Sequence, residues 1–260
     1  MVAYFIKILY NFNKFKLDNK IFYSWGMKRS GKYLRNNIKK HKVVFIEDGF
    51  VHSFGIKKKK IPLTICYDNN GSYYDCKTNN DLKKFFKEKL SEKNALRAKN
   101  IVKLWKEYSI SKYNFGSFIE PLSSPYILLI DQTFGDLSLE YGDANNYSFK
   151  KMFDFAENNW PNHKIVIKVH PDVLNYKKKS CFDEYIFLKD NVIVIKEIGQ
   201  INKLIEFSDA VCVVTSQVGF ESLIYNKEVH VFGKPFYSGL GLTIDHNSNK
   251  KNLNQQITLE

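Results

Sequence analysis

Cysteine is scarce and scattered. Cys66, Cys76, Cys181 and Cys212 are the only four in 260 residues; none forms a Cys-x-x-Cys pair, which argues against both a thiolate zinc site and a disulfide framework. The six histidines are equally dispersed, so no protein-held metal is expected. No apolar run approaches the roughly 18 to 20 residues that span a bilayer, because Lys7, Lys14 and Lys16 interrupt the Phe/Ile/Tyr-rich start. That start also lacks the unbroken apolar core and small-residue cleavage site of a secretory signal, so a soluble cytoplasmic protein is the expectation. Internal repeats are absent, and the longest low-complexity stretch is the polar Asn247 to Gln256.

What is present is ample core material. At 44% hydrophobic, 15% aromatic and 26% charged residues, the chain fills one large or two small cores, which excludes wholesale disorder. The net charge of +13 is unevenly held: residues 1–120 carry 26 Lys/Arg against 10 Asp/Glu, whereas residues 121–260 carry 14 against 17. A basic first half attracts nucleic acid, anionic lipid headgroups or an acidic substrate, and charge alone does not choose among them. Taken separately, the runs Lys57 to Lys60 and Lys177 to Lys179 are also what the lysine usage of an AT-rich genome produces. A nucleic-acid-binding role is disfavoured, because the aromatics follow sheet-like core patterning and no recognition module is present.

Short β-branched or aromatic runs alternate with longer amphipathic ones. Lys42 to Ile46 and Ile61 to Tyr67 read as strands, and Asp81 to Leu104 as one charged helix. Pro121-Leu122-Ser123-Ser124-Pro125 breaks the pattern and is the best linker, dividing the chain at 1–120 and 121–260. Beyond it strands are expected at 126–130, 164–169, 192–195, 210–214 and 228–232, with helices at 148–158, 201–207 and 219–225. Regular βαβ alternation implies a parallel sheet that binds ligands at the carboxyl ends of its strands.

Those strand ends carry the polar residues. DQTFGDLS runs from Asp131, His170-Pro171-Asp172-Val173 follows the strand ending at Lys168 and Val169, and Thr215-Ser216-Gln217-Val218-Gly219-Phe220-Glu221 and Gly233-Lys234-Pro235 follow the last two. A loop Ser followed by Gly at a helix start can bind phosphate, and Glu221 one turn in can accept ribose hydroxyls. Taken alone, the same string is first of all an ordinary helix start, with Ser216 as its cap. Gly26-Met27-Lys28-Arg29-Ser30-Gly31-Lys32 imitates a P-loop, but Tyr33 replaces the required Ser/Thr and no strand of normal length precedes it, so a Walker A site is rejected.

Ser216 to Asp245, SQVGFESLIYNKEVHVFGKPFYSGLGLTID, resembles the signature of bacterial capsule polysaccharide transferases of the KpsC type, which add β-linked 3-deoxy-D-manno-oct-2-ulosonic acid (Kdo). Further motifs fall in that family's order: Trp25-Gly26-Met27-Lys28, Glu47-Asp48-Gly49-Phe50, Tyr67-Asp68 with Gly71 and Tyr73-Tyr74-Asp75, Ser111-Lys112-Tyr113-Asn114, the Asp131 segment and HPDV from His170. The likeness covers about residues 21–246 and is specific through its ordered combination.

The resemblance implies an α/β, GT-B-like architecture: two Rossmann-like domains facing a cleft, a basic acceptor-side domain (1–120) and a nucleotide-sugar-binding domain (121–260). It implies CMP-Kdo as donor substrate, with no cofactor, and a glycolipid or polysaccharide acceptor. The donor would be held by Lys168, His170, Pro171, Ser216, Gly219 and Glu221. Asp136 would be the nucleophile of a retaining transfer, with Glu47 and Asp48 as acid/base candidates. The setting implied is cytoplasmic and peripheral at the inner membrane, on an anionic surface and within a capsule assembly or export complex.

Two departures stand out. His52 occupies a place where the family usually has Arg. Relatives also continue into helices where a short polar tail follows Asp245, and many carry two transferase modules where this chain has room for one. The alternative reading is therefore a truncated, non-catalytic module that binds anionic glycolipid.

Overall fold

The computed structural model describes residues 21–37, 42–54, 63–114 and 116–247. The lysine-interrupted start, the Lys57 to Lys60 run, Ile61 and Pro62, and the tail beyond Asn247 lie outside the described residues. In the first half, β1 (Ile21–Trp25) and β2 (Lys42–Asp48) are parallel, with the helix Arg29–Asn37 between them in the chain. A strand of ordinary length does therefore precede Gly26, contrary to expectation, and the rejection of a Walker A site rests on Tyr33 in place of Ser/Thr. The short β3 (Ser53–Phe54) follows, and β4 (Ile65–Asp68) returns antiparallel to β2. β5 (Tyr113–Asn114) pairs in parallel with β3.

The single helix expected over 81–104 is two helices, Asp81–Phe85 and Glu92–Glu107. The first buries no residue, and its Lys83 ammonium turns back to the carbonyls of Asp75, Cys76 and Thr78, so little apolar packing propagates its turns. The second has its own start signal: the Ser91 side chain accepts the Asn94 N–H at 3.3 Å.

The second half follows the expected alternation. β6 (Tyr126–Ile130), β7 (Lys164–Lys168), β8 (Val192–Ile195), β9 (Ala210–Val213), β10 (Glu228–Val231) and β11 (Ile244–Asp245) form a parallel sheet in the order β11-β10-β9-β6-β7-β8. Every residue of β6 is buried, as both faces of the sheet are covered. Ile127 and Leu129 pack with Phe149, Met152 and Phe153 on one side; Tyr126 and Leu128 pack with Leu204, Ile205 and Leu223 on the other. Pro121 to Pro125 is irregular chain leading into β6.

From β6 the chain winds outward through β7 and β8, then returns to lay β9 on the other side of β6. The direction of winding reverses there, so the loops after β6 and β9 part and leave a crevice at their carboxyl ends. The first half stands across that crevice, and the whole is GT-B-like.

Gly219, expected in the nucleotide site, does not line the crevice and lies within this packing. It is buried, and a Cβ there would overlap the Tyr237 hydroxyl and crowd Val213. Gly219→Ala is accordingly expected to lower the unfolding free energy by about 1–3 kcal/mol in urea denaturation. An unchanged midpoint would show that the helix Val218–Ile224 moves away at no cost.

Candidate functional site

The crevice between the halves is a cleft of about 520 Å³, within the range of small-molecule sites. It gathers Glu47 and Asp48 from the end of β2, Asp136 from the loop after β6, Lys168, His170 and Pro171 from the end of β7, and Ser216 and Glu221 from the segment after β9. Of the site residues expected from sequence, only Gly219 is not on its wall.

Asp136 follows Gly135, whose φ of +77° needs glycine. It caps the helix Leu137–Tyr141, accepting the Ser138 N–H at 2.8 Å. This loop is tied to the next by a compact network: the Gln132 amide donates to the Ser138 and Thr215 hydroxyls, both at 3.0 Å, and accepts the Thr215 N–H at 3.0 Å. Asp131 lies beneath, fully buried, accepting the Cys181 N–H at 3.1 Å. Burial pushes its carboxyl up to about 6, against hydrogen bonds from Ser180 and from backbone N–H groups. Burial likewise pulls Lys168 down to about 8, opposed by Asp131 and Glu197, and its ammonium donates to the Val169 carbonyl at 2.9 Å.

His170 is extended, at φ −64° and ψ 137°, as a residue before proline prefers. Its Nδ1 accepts the Asp172 N–H at 3.1 Å. Burial pushes the imidazole down to about 4, against the opposing charges of Asp172 and Asp136. The ring is therefore neutral near pH 7 with its proton on Nε2, a hydrogen-bond donor without a full charge. Ser216 lies one residue before the N-cap Gln217 of the helix Val218–Ile224 and is not itself the cap; its Oγ accepts the Val218 N–H at 3.2 Å, which leaves the hydroxyl proton free to donate.

Across the cleft, the Tyr74 hydroxyl accepts the Met27 N–H at 3.1 Å and donates to Glu47 Oε1 at 2.6 Å. Gly26, at φ +53°, makes room for this: a Cβ there would collide with the Glu47 carboxylate. Burial raises the Glu47 carboxyl above its ordinary range, against the Tyr74 hydrogen bond and assisted by the Asp48 charge. Asp48 in turn faces His52, 3.1 Å from its Nδ1.

Glu221 is placed differently from the expectation. It is fully buried, and its carboxylate accepts the Ser111 hydroxyl at 2.8 Å and the Lys112 N–H at 3.1 Å. It binds the first half to the second, and a nucleotide would have to use its remaining lone pairs. Gln217 adds a second tie, donating to the Phe50 carbonyl at 2.7 Å. Phe50 itself packs on Tyr73 and Phe236 with ring centroids 5.5 and 5.2 Å apart.

Sequence reasoning gave no individual role to Ser111, Lys112, Tyr74 or Gln132, although all four sit in the quoted motifs. Burial works against the Lys112 charge, but Tyr113, Tyr73, Asp136 and Glu221 outweigh it and hold the ammonium above the usual lysine range. It is thus a fixed cation on the cleft wall. Among the described residues, no group of three or more His, Cys, Asp or Glu can hold a metal ion.

Comparison with known proteins places this geometry. Residues 21–121 and 98–258 match the family described as "Capsule polysaccharide biosynthesis protein". The capsule polysaccharide modification protein LipA of Neisseria meningitidis serogroup A is 33% identical over 233 residues, which is 85% of this chain and 33% of LipA. The chain thus spans about a third of that curated relative. Among solved structures, a Thermosulfurimonas dismutans KpsC β-Kdo 2,4 transferase has a TM-score of 0.81 at 32% identity, covering 92% of this chain and 76% of its own. The β-Kdo 2,7 transferase of the same KpsC has a TM-score of 0.70 at 25% identity, covering 98% and 77%.

Burial, the largest influence on Glu221, pushes its carboxyl up to about 7, while Ser111 and Lys112 hold it down. A carboxyl whose folded pKa lies above its unfolded value stabilises most below the unfolded value and loses that contribution as pH rises to the folded one. Wild type should therefore lose stability relative to Glu221→Gln between about pH 4.5 and 7. Thermal melts of both proteins across that window check this; parallel curves would refute it.

Proposed function

The chain belongs to the capsule polysaccharide biosynthesis family, and from that premise we propose that it is a retaining glycosyltransferase that moves β-Kdo from CMP-Kdo to a glycolipid or surface-polysaccharide acceptor. One observation carries the reading: Asp136 and neutral His170 of the parallel sheet share a cleft with a raised Glu47 from the facing half. The similarity to two Kdo transferases names the sugar.

The roles follow from the geometry. His170 Nε2–H and the Ser216 hydroxyl donate to the phosphate of the CMP group, and Lys112 offsets negative charge on the sugar or phosphate. The Asp136 carboxylate attacks the anomeric carbon on the face opposite the leaving phosphate, so the C–O bond to CMP breaks as a bond to the Asp136 oxygen forms. An acceptor hydroxyl then attacks the same carbon and releases Asp136, and its proton passes to Glu47. Two inversions leave the anomeric configuration as it was. A carboxyl raised by burial is a better proton acceptor for a hydroxyl than an ordinary one, which favours Glu47 over Asp48 for this step. Asp48 is then left to hold His52. The work site is a cytoplasmic membrane surface, where a glycolipid acceptor is presented.

Intact mass after incubation with CMP-Kdo tests the proposal. The wild type should gain a covalent sugar, whereas Asp136→Asn should gain none yet bind CMP within about twofold of wild type, because the CMP contacts lie on other loops. An adduct on Asp136→Asn would move the nucleophile elsewhere. CMP binding with no adduct or transfer in the wild type would mark a module that only binds.

A further inference from the structure

The helix Glu92–Glu107 has two faces, and among the described residues only one is packed against the rest of the fold. Ala95, Ala98, Val102 and Trp105 recur at three- and four-residue steps, and this side packs against the helix Val218–Ile224 with Trp105 buried. A second stripe runs Lys93, Arg97, Ile101, Leu104, Tyr108 at the same helical steps. All five are exposed, with Ile101, Leu104 and Tyr108 open to 44%, 45% and 67%. Leu96 beside them is open to 62%. Single exposed apolar residues are normal on soluble proteins; a row of them behind a basic end is the pattern of an interfacial helix.

Charge selects the partner. Residues 81–108 carry nine Lys/Arg against four Asp/Glu, and Phe85 and Leu90 of the preceding segment are exposed among Lys84, Lys87 and Lys89. Anionic headgroups complement the lysines and the acyl boundary takes the apolar row. Position supplies a use. Tyr108 leads through Ser109, at φ +50°, and Ile110, whose carbonyl accepts from Asn202 at 2.9 Å, to Ser111 on Glu221. The exposed row thus ends three residues from the cleft.

We propose that this stripe lies on a bilayer carrying anionic lipid, with Ile101, Leu104 and Tyr108 at the acyl boundary and Lys93 and Arg97 at phosphate level. A lipid-borne acceptor would then meet the cleft from the surface that holds its anchor, a purpose that rests on the glycolipid reading although the docking itself does not.

Sedimentation of the full chain with phosphatidylcholine vesicles, with and without phosphatidylglycerol, tests it. Wild type should pellet with the anionic vesicles and not with phosphatidylcholine alone. Ile101→Asp/Leu104→Asp, and separately Lys93→Glu/Arg97→Glu, should each weaken binding about tenfold or more, with circular dichroism and CMP affinity as in wild type. Variants that bind like wild type, or a wild type that binds no vesicle, overturn the proposal. A concentration-dependent dimer that Ile101→Asp/Leu104→Asp dissolves, without vesicle binding, would assign the face to a second copy instead. Vesicle binding with no Kdo adduct would leave this surface standing and remove the transferase reading.

Discussion

A single buried carboxylate governs how the two halves meet. Glu221 has no access to water, and an isolated charge there would be far too costly unless paired or protonated. Its strongest partners, Ser111 and the Lys112 N–H, come from more than a hundred residues away in the chain. The aromatic contacts of Phe236 with Phe50 and Tyr73 hold the halves together without fixing their direction, as apolar contacts do. The hydrogen bonds to Glu221 fix it. Because Lys112 is placed by the same contact, the cleft's standing positive charge is set by the joint itself.

Around that joint, burial drives titratable groups toward their neutral forms. Glu47 and Asp131 rise, while His170 and Lys168 fall. These four offer proton donors and acceptors near their neutral forms, on a wall that also carries Lys28, Asp48, Asp136, Asp172 and Lys178 and the Lys112 ammonium, which is held above the usual lysine range. On the proposed reading, an anionic sugar nucleotide would meet the neutral His170 ring on the sheet side and the Lys112 ammonium at the joint.

The parallel sheet was legible in the sequence because its strands are short β-branched runs separated by helical periods, a local signal. The placement of Asp136, His170 and Ser216 on one cleft wall was legible for the same reason, as each lies in the segment that follows a strand. What sequence could not supply were contacts made at a distance. Gly219 looked like part of a phosphate loop, and only the approach of Tyr237 shows why a side chain is excluded there. Glu221 reads in the sequence as a polar residue one turn into its helix, while its bonds to Ser111 and Lys112 come from the other half of the chain. Tyr74 and Gly26 were quoted in motifs without a role, because the Glu47 carboxylate that joins them lies on another strand. The break in the helix after Phe85 was missed because periodicity registers spacing and not whether anything packs against it.

The winding order of the larger sheet has a further consequence. The loops that would hold the nucleotide all spring from one rigid sheet and are braced by Gln132 and Thr215, which are its own residues. The facing wall is contributed by a separate, smaller sheet. On the proposed reading, recognition of the donated sugar and recognition of what receives it would then be written in different stretches of chain. Substitutions in the second could accumulate without disturbing the first, so that one donor-handling frame could serve more than one acceptor.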